Sequence, residues 1–355
     1  MSRIAAVHPV LAPHRYSQRE ITDLVARLCL PEGSDRRLLD RFHTAARVRF
    51  RHTALPLGAY AALEDFGAAN DAFVTAAVEL GAEAVSGALR AAGLSPRDVD
   101  LVMFTSVTGV AAPSVDARLA GRLGLRPDVK RLPVFGLGCV AGAAGIARLH
   151  DYLSGHPDQV AVLLSVEMCS LTFQRDDPSP ANLIASGLFG DGAAAVVLCG
   201  SRRATGPGPA VAPAVVDTRG HLYPDTEGVM GWDVTGSGFR VVLDATVPEV
   251  VHKHLAGDVD ALLDDHGLKR RDVAVWVCHP GGPKVLEAVA EALDLPDGAL
   301  EATWRSLAEV GNLSSASVLH VLRDTLVRRP PGGGAPGVLL AMGPGFCSEL
   351  VLLRW

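Results

Sequence analysis

The sequence has no CxxC pair, no apolar run of about 18 uninterrupted residues, and no excess of basic over acidic side chains. Each absence removes a class of function. The six cysteines stand singly, at Cys29, Cys139, Cys169, Cys199, Cys278 and Cys347, so neither a metal site nor a paired-thiol redox motif is expected. Without a long apolar run no membrane span is expected. Residues 1–16 hold Pro9, Pro13 and two histidines instead of an apolar signal core, and the expected compartment is the cytoplasm, with reduced thiols. A formal net charge of -6 gives no basic face for phosphate contacts, so no nucleic-acid partner is expected.

What is present points to a well-packed α/β chain. Hydrophobic residues make up 48% and charged residues 20% of the 355 residues, too long a chain for one small core. Short apolar runs at 102–105, 161–165, 193–198, 274–278 and 338–342 read as buried strands. Residues 71–92, 140–153, 247–255 and 315–327 carry helical periodicity, and the alternation predicts an α/β architecture with covered sheets.

The chain also repeats itself. Gly190-Asp191-Gly192 and Gly343-Pro344-Gly345 each lead into an apolar run. Before them, Cys139 and Asn312 each open a segment of small residues that reads as a helix start. Earlier still, Thr105-Ser106 and His279-Pro280 each close a strand. Three matched landmarks in one order predict two related halves, 1–205 and 206–355, joined by the Gly/Pro-rich stretch 200–213. They place Cys139 and Asn312 at equivalent helix starts near one interface.

Cys139 lies in FGLGCVAGAAG, where glycines permit a tight turn and small residues permit close helix packing. A cysteine there is either a small buried hydrophobe or a nucleophile, and a helix start would lower its thiol pKa. His279, ahead of a Pro-Gly-Gly-Pro turn, is either a structural histidine or the base beside that thiol. Asn312 is either a helix N-cap or a neutral donor that stabilises an oxyanion without quenching a thiolate.

Five segments, GLGCVAGAAG, LFGDGAAAVV, HPGGPKVLE, EVGNLSSASVL and GPGFCSEL, together resemble the type III polyketide synthases, the chalcone-synthase-like branch of the thiolase superfamily. The resemblance covers roughly residues 37–355. It implies a thiolase-like duplicated fold of five αβαβα layers, a homodimer, and coenzyme A thioesters as substrates, with no metal and no other cofactor. It implies Cys139 as the acyl-carrying nucleophile, with His279 and Asn312 binding the thioester carbonyl while malonyl-CoA or methylmalonyl-CoA loses carbon dioxide. Phe189 and Phe239 match two gatekeepers. Val107, Thr108, Thr172, Met230 and Ser314 match cavity positions, and Ala112 matches a residue that reaches into the partner's cavity. Arg47, with Arg49 and Arg51 alternating beyond it, and Lys284 match coenzyme A contacts. The segment around Met230 is similar to bacterial members that extend aliphatic acyl-CoA starters to alkylresorcinols or alkylpyrones. A tetrahydroxynaphthalene-forming enzyme fed by malonyl-CoA alone is the nearest competitor, and a ketoacyl-ACP synthase III-like initiator the next.

Overall fold

The computed structural model of the chain describes every residue except 32, 176, 204–211 and 329. The expected boundary at 205/206 therefore lies outside the described residues. In chain order the first half contains β1 (Arg3–Leu11), β2 (His14–Ser17), α1 (Gln18–Cys29), α2 (Arg37–Ala45), β3 (Phe50–Thr53), α3 (Phe66–Ala92), β4 (Leu101–Thr105), α4 (Val115–Leu123), β5 (Lys130–Val134), α5 (Ala141–Gly155), β6 (Val160–Met168), α6 (Pro180–Leu188) and β7 (Asp191–Cys199). The second half contains β8 (Ala214–Leu222), β9 (Met230–Thr235), β10 (Gly238–Leu243), α7 (Val247–Asp264), β11 (Val275–Cys278), α8 (Pro283–Leu293), α9 (Glu301–Val310), α10 (Ser317–Arg328), β12 (Pro336–Gly343) and β13 (Cys347–Arg354).

Nine strands join in the order β11-β12-β13-β8-β1-β7-β6-β4-β5. The first half contributes β5-β4-β6-β7-β1, with β4 parallel to β5 and β6, and β7 antiparallel to β6 and β1. The second half repeats this pattern as β11-β12-β13-β8, with β11 parallel to β12 and β13 antiparallel to both neighbours, and without a counterpart of β5. The two patterns meet where Arg3 of β1 pairs with Ala214 of β8.

Alternation along each strand assigns its two faces. In β7, Ala193, Ala195 and Val197 face the layer of α3, while Ala194, Val196 and Leu198 face the opposite side. That second side is the middle of the molecule, where α5 and α10 share one core with strands of both halves through Ile146, Leu149, Val318, Leu322, Leu163 and Val351. Helices α7 and α8 cover the far face of the second half. The layers therefore run helix, sheet, helix, sheet, helix. By length and composition α3 could cross a membrane, but Phe73, Ala77, Ala84, Val85 and Ala88 are buried against β1, β6 and β7, as in a core helix.

The close packing of the middle layer explains a glycine in α5. A Cβ on Gly142 would stand 2.3 Å from the Ser315 carbonyl oxygen and 2.7 Å from Val318 Cγ1. The obstacle is backbone that cannot swing away, so Gly142→Ala should cost about 2 kcal/mol or more of stability. The urea midpoint measures this, and an unchanged midpoint would contradict the packing described.

Candidate active site

Cys139 stands in a single 3-10 turn, Gly138–Val140, immediately ahead of α5. Gly138 adopts φ +55°, and a Cβ there would come within 2.7 Å of Pro344, so the turn reaches its place only with glycine. The thiol is buried, and its Sγ lies 3.7 Å from Ser314 Oγ. Burial pushes it up to about 12, Ser314 and Asn312 oppose this with hydrogen bonds, and the Glu167 carboxyl reinforces it. The expectation of a thiol depressed by a helix start is thus corrected. The sulfur sits before the helix in a narrow apolar cavity, and desolvation is the largest influence on it.

His279 follows β11, its N–H donating to the Leu340 carbonyl at 2.9 Å. The ring is 5% exposed, and neither nitrogen has a hydrogen-bond partner among the described residues. Burial alone pulls the imidazole down to about 3. Both groups are thus held neutral while each stands alone. Moving a proton from sulfur to imidazole creates two opposite charges together. Their mutual attraction offsets part of what burial costs each lone ion.

Asn312 is held from both sides. Its backbone N–H donates to the Leu188 carbonyl and its carbonyl accepts from the Gly190 N–H, each at 2.9 Å, so the segment bridges to Phe189. Its side-chain Oδ1 accepts from the Ser314 N–H at 2.8 Å and from Ser317 Oγ at 3.3 Å. With the oxygen occupied, Nδ2 is the donor left for the cavity. It reaches toward Cys139, where its hydrogen bond favours the charged thiolate.

Cys139, His279, Asn312, Ser314, Phe189, Met230 and Val107 border one narrow cavity walled by Leu188, Trp232, Val242, Leu340 and Phe346. Other sequence candidates lie elsewhere. Thr108 donates to Glu167 Oε2 at 3.0 Å, and Thr172 donates to the Cys169 carbonyl at 2.8 Å; neither lines the cavity. Phe239 is packed against Phe66, Phe135 and Trp232, behind the wall instead of on it. Arg47 and Lys284 are exposed at one end of α8, where Arg47 pairs with Glu287 at 3.1 Å and lies over Trp304. Arg49 pairs with Glu309. Arg51, expected among the coenzyme A contacts, is instead 1% exposed and donates to the Phe189 carbonyl at 2.8 Å. Cys139, Cys169, Cys199, Cys278 and Cys347 are unbridged, and of these all but Cys347 are buried.

One residue missed in the sequence is Glu167, hidden in an apolar strand. Its Oε2 accepts from the Val107 N–H at 3.1 Å, Ser106 Oγ at 3.3 Å and Thr108 Oγ1, while Oε1 accepts from Ser315 Oγ. It is fully buried, and desolvation pushes it up to about 7 despite these donors. A lone acid within a strand as apolar as β6 is the signal that could have revealed it.

The arrangement offers a sulfur nucleophile, an imidazole without a partner and a carboxamide donor around one apolar cavity, a set suited to acyl transfer. Comparison with known proteins agrees. Residues 41–202 match the N-terminal domain, and residues 215–355 the C-terminal domain, of the chalcone and stilbene synthases. The chain is 63% identical over 355 residues to a 1,3,6,8-tetrahydroxynaphthalene synthase of Streptomyces peucetius subsp. caesius, covering 99% of this chain and 93% of that one. It is 33% identical over 312 residues to the enzyme of the same name from Streptomyces griseus, covering 87% and 81%. The crystal structure of 1,3,6,8-tetrahydroxynaphthalene synthase from Streptomyces coelicolor A3(2), described as a bacterial type III polyketide synthase, superposes with a TM-score of 0.92 at 30% identity, covering 99% of each chain. The chain belongs to the chalcone and stilbene synthase family and is a type III polyketide synthase.

Proposed function

We propose that this enzyme condenses malonyl-CoA with itself to form a tetrahydroxynaphthalene-type product. The observation that carries this reading is the 63% identity, across nearly the whole chain, to a relative named for that product. This similarity favours the malonyl-only reading over the aliphatic starter expected from the segment around Met230. The match to chalcone and stilbene synthase models displaces the ketoacyl-ACP synthase III-like reading. The ten ring carbons of a naphthalene correspond to five two-carbon units, so the starter can itself come from malonyl-CoA. The cavity volume, about 60 Å3, also suits a short starter.

Each step then has an assigned group. Cys139 sulfur attacks the thioester carbonyl and coenzyme A leaves as its thiol, with His279 carrying the proton from one sulfur to the other. A second malonyl thioester loses carbon dioxide. The electron pair of the broken bond passes into an enolate, whose oxygen accepts hydrogen bonds from His279 and Asn312 Nδ2. The enolate carbon attacks the acyl carbonyl on Cys139, forming a carbon–carbon bond and releasing the sulfur. The apolar walls exclude water, which would otherwise hydrolyse the acyl-enzyme. Arg47 and Lys284 would meet the anionic end of coenzyme A at the surface. We further propose a homodimer. Edge strand β5 leaves Leu132 42% exposed, and the adjoining Phe135 is 50% exposed, apolar area that a second copy would cover.

Incubation with malonyl-CoA alone, followed by mass spectrometry, tests the reading. A naphthalene product without any other thioester is expected. A product that forms only when a long acyl-CoA is added would overturn it.

A further inference from the structure

A volume of about 60 Å3 is far below the roughly 300–1,000 Å3 of pockets that enclose a drug-sized molecule. A chain growing on Cys139 needs more room, so some part of the wall must yield. Leu340, Ala341 and Met342 belong to β12, and Asn312 and Ser314 are tied into the middle layer. The largest remaining contributor is the hairpin β9–β10, which among the described residues forms a two-stranded sheet of its own. It supplies Met230, Gly231, Trp232, Val241, Val242 and Leu243 to the cavity.

Beyond its own base, the hydrogen bonds of this hairpin to the rest of the chain go, among the described residues, to a single side chain, Gln174. Gln174 Nε2 donates to the Phe239 carbonyl at 3.1 Å and to the Thr172 carbonyl at 3.2 Å, while Oε1 accepts from Ser237 Oγ at 2.7 Å. The residue is 6% exposed. Its own carbonyl accepts from Asn182 Nδ2 at 3.0 Å, and Asn182 also donates to the Asp177 carbonyl at 2.8 Å. Asn182 lies in the first turn of α6, whose last residue, Leu188, leads into Phe189. One helix thus delivers Phe189 to the cavity at its C-terminal end and holds the hairpin through Asn182 and Gln174 at its N-terminal end.

We propose that Gln174 is a positioning residue that sets how far the hairpin wall can retreat, and so the length of acyl chain the enzyme accepts. The proposal rests on the cavity being the polyketide site. It does not depend on which starter is native. An amide suits the position because one end donates to two carbonyls while the other accepts from a hydroxyl. Leucine matches its size and supplies none of these bonds. A carboxylate would keep the Ser237 bond and repel both carbonyls.

The test compares wild type with Gln174→Leu, Gln174→Glu and Ser237→Ala. It uses a ladder of acyl-CoA starters from acetyl to dodecanoyl with malonyl-CoA as extender, and reads hydrogen exchange of the hairpin amides alongside. In Gln174→Leu, kcat/KM for the longest accepted starters should rise about tenfold relative to the shortest, with exchange faster by a similar factor only in β9 and β10. Gln174→Glu should show the same direction, and Ser237→Ala, which breaks one of the three bonds, a smaller rise. An unchanged starter profile in a folded Gln174→Leu would overturn the proposal. If that variant does not fold, an unchanged profile and unchanged hairpin exchange in Ser237→Ala would do so. Failure of wild type to form a naphthalene would instead refute the malonyl-only reading, leaving the comparison of profiles intact.

Discussion

Cys139→Ala should form no condensation product, a fall of at least about 10⁴-fold in the rate of chain extension. The sulfur is the one thiol among the described residues of the cavity lining, and alanine removes the group that would hold the acyl unit while the next one loses carbon dioxide. The same variant keeps His279 and Asn312, and the bonds that anchor them, from the Asn312 Oδ1 to Ser314 and Ser317 and from their backbones to Leu188, Gly190 and Leu340, do not involve the sulfur. It should therefore still convert malonyl-CoA to acetyl-CoA. Quantifying both thioesters together with any cyclised product checks the two halves of the expectation. Multi-unit products from Cys139→Ala would remove the sulfur from its assigned role. Loss of both activities in a folded variant would mean that the decarboxylating groups depend on it.

The second large effect is expected at His279. Decarboxylation by His279→Ala should drop about 10²–10³-fold, the usual loss when one oxyanion donor is removed. The variant should also change the behaviour of Cys139. Burial holds that thiol up at about 12, so it gives up its proton only as pH rises, unless a neighbouring base accepts it. Taking the imidazole away removes that base, so the rate of iodoacetamide labelling should rise at a higher pH than in wild type. At pH 7 labelling should slow by about tenfold for each unit of displacement. His279→Gln retains a neutral donor, so it should recover part of the decarboxylation while leaving the labelling profile displaced. Identical labelling profiles in wild type and His279→Ala would exclude proton transfer between the two side chains.

That Cys139, His279 and Asn312 would meet at one cavity was legible because each sits at a landmark of the repeat. Glycine turns, a strand end and a small-residue helix start leave marks in composition that survive without coordinates. The apolar runs at 193–198 and 338–342 were equally clear, since strands buried on both faces have few polar residues to interrupt them. The thiol's electrostatics were not legible. A helix start suggests stabilisation of the thiolate, but the narrow apolar cavity around Cys139 is built from residues such as Leu188, Trp232 and Phe346, far apart in the chain. Phe239 misled for a related reason. Its place in the sequence matches a cavity position, but the ring turns toward Phe66 and Phe135. Gln174 gave no signal, because a lone glutamine in a loop reads as solvated until its three partners are brought together.

Strand β1 was likewise unreadable from sequence: His8 and Pro9 disguise it. It nevertheless forms the seam of the molecule, pairing with β7 along nearly its whole length and with β8 at Arg3. This strand is made before its partners and must therefore wait for residues 192–199 and then 214 before its edges are satisfied. Until then it is an apolar ribbon with both sides open. During synthesis this segment is the one most in need of protection by a chaperone, and the sheet can close only after well over half of the chain has been translated.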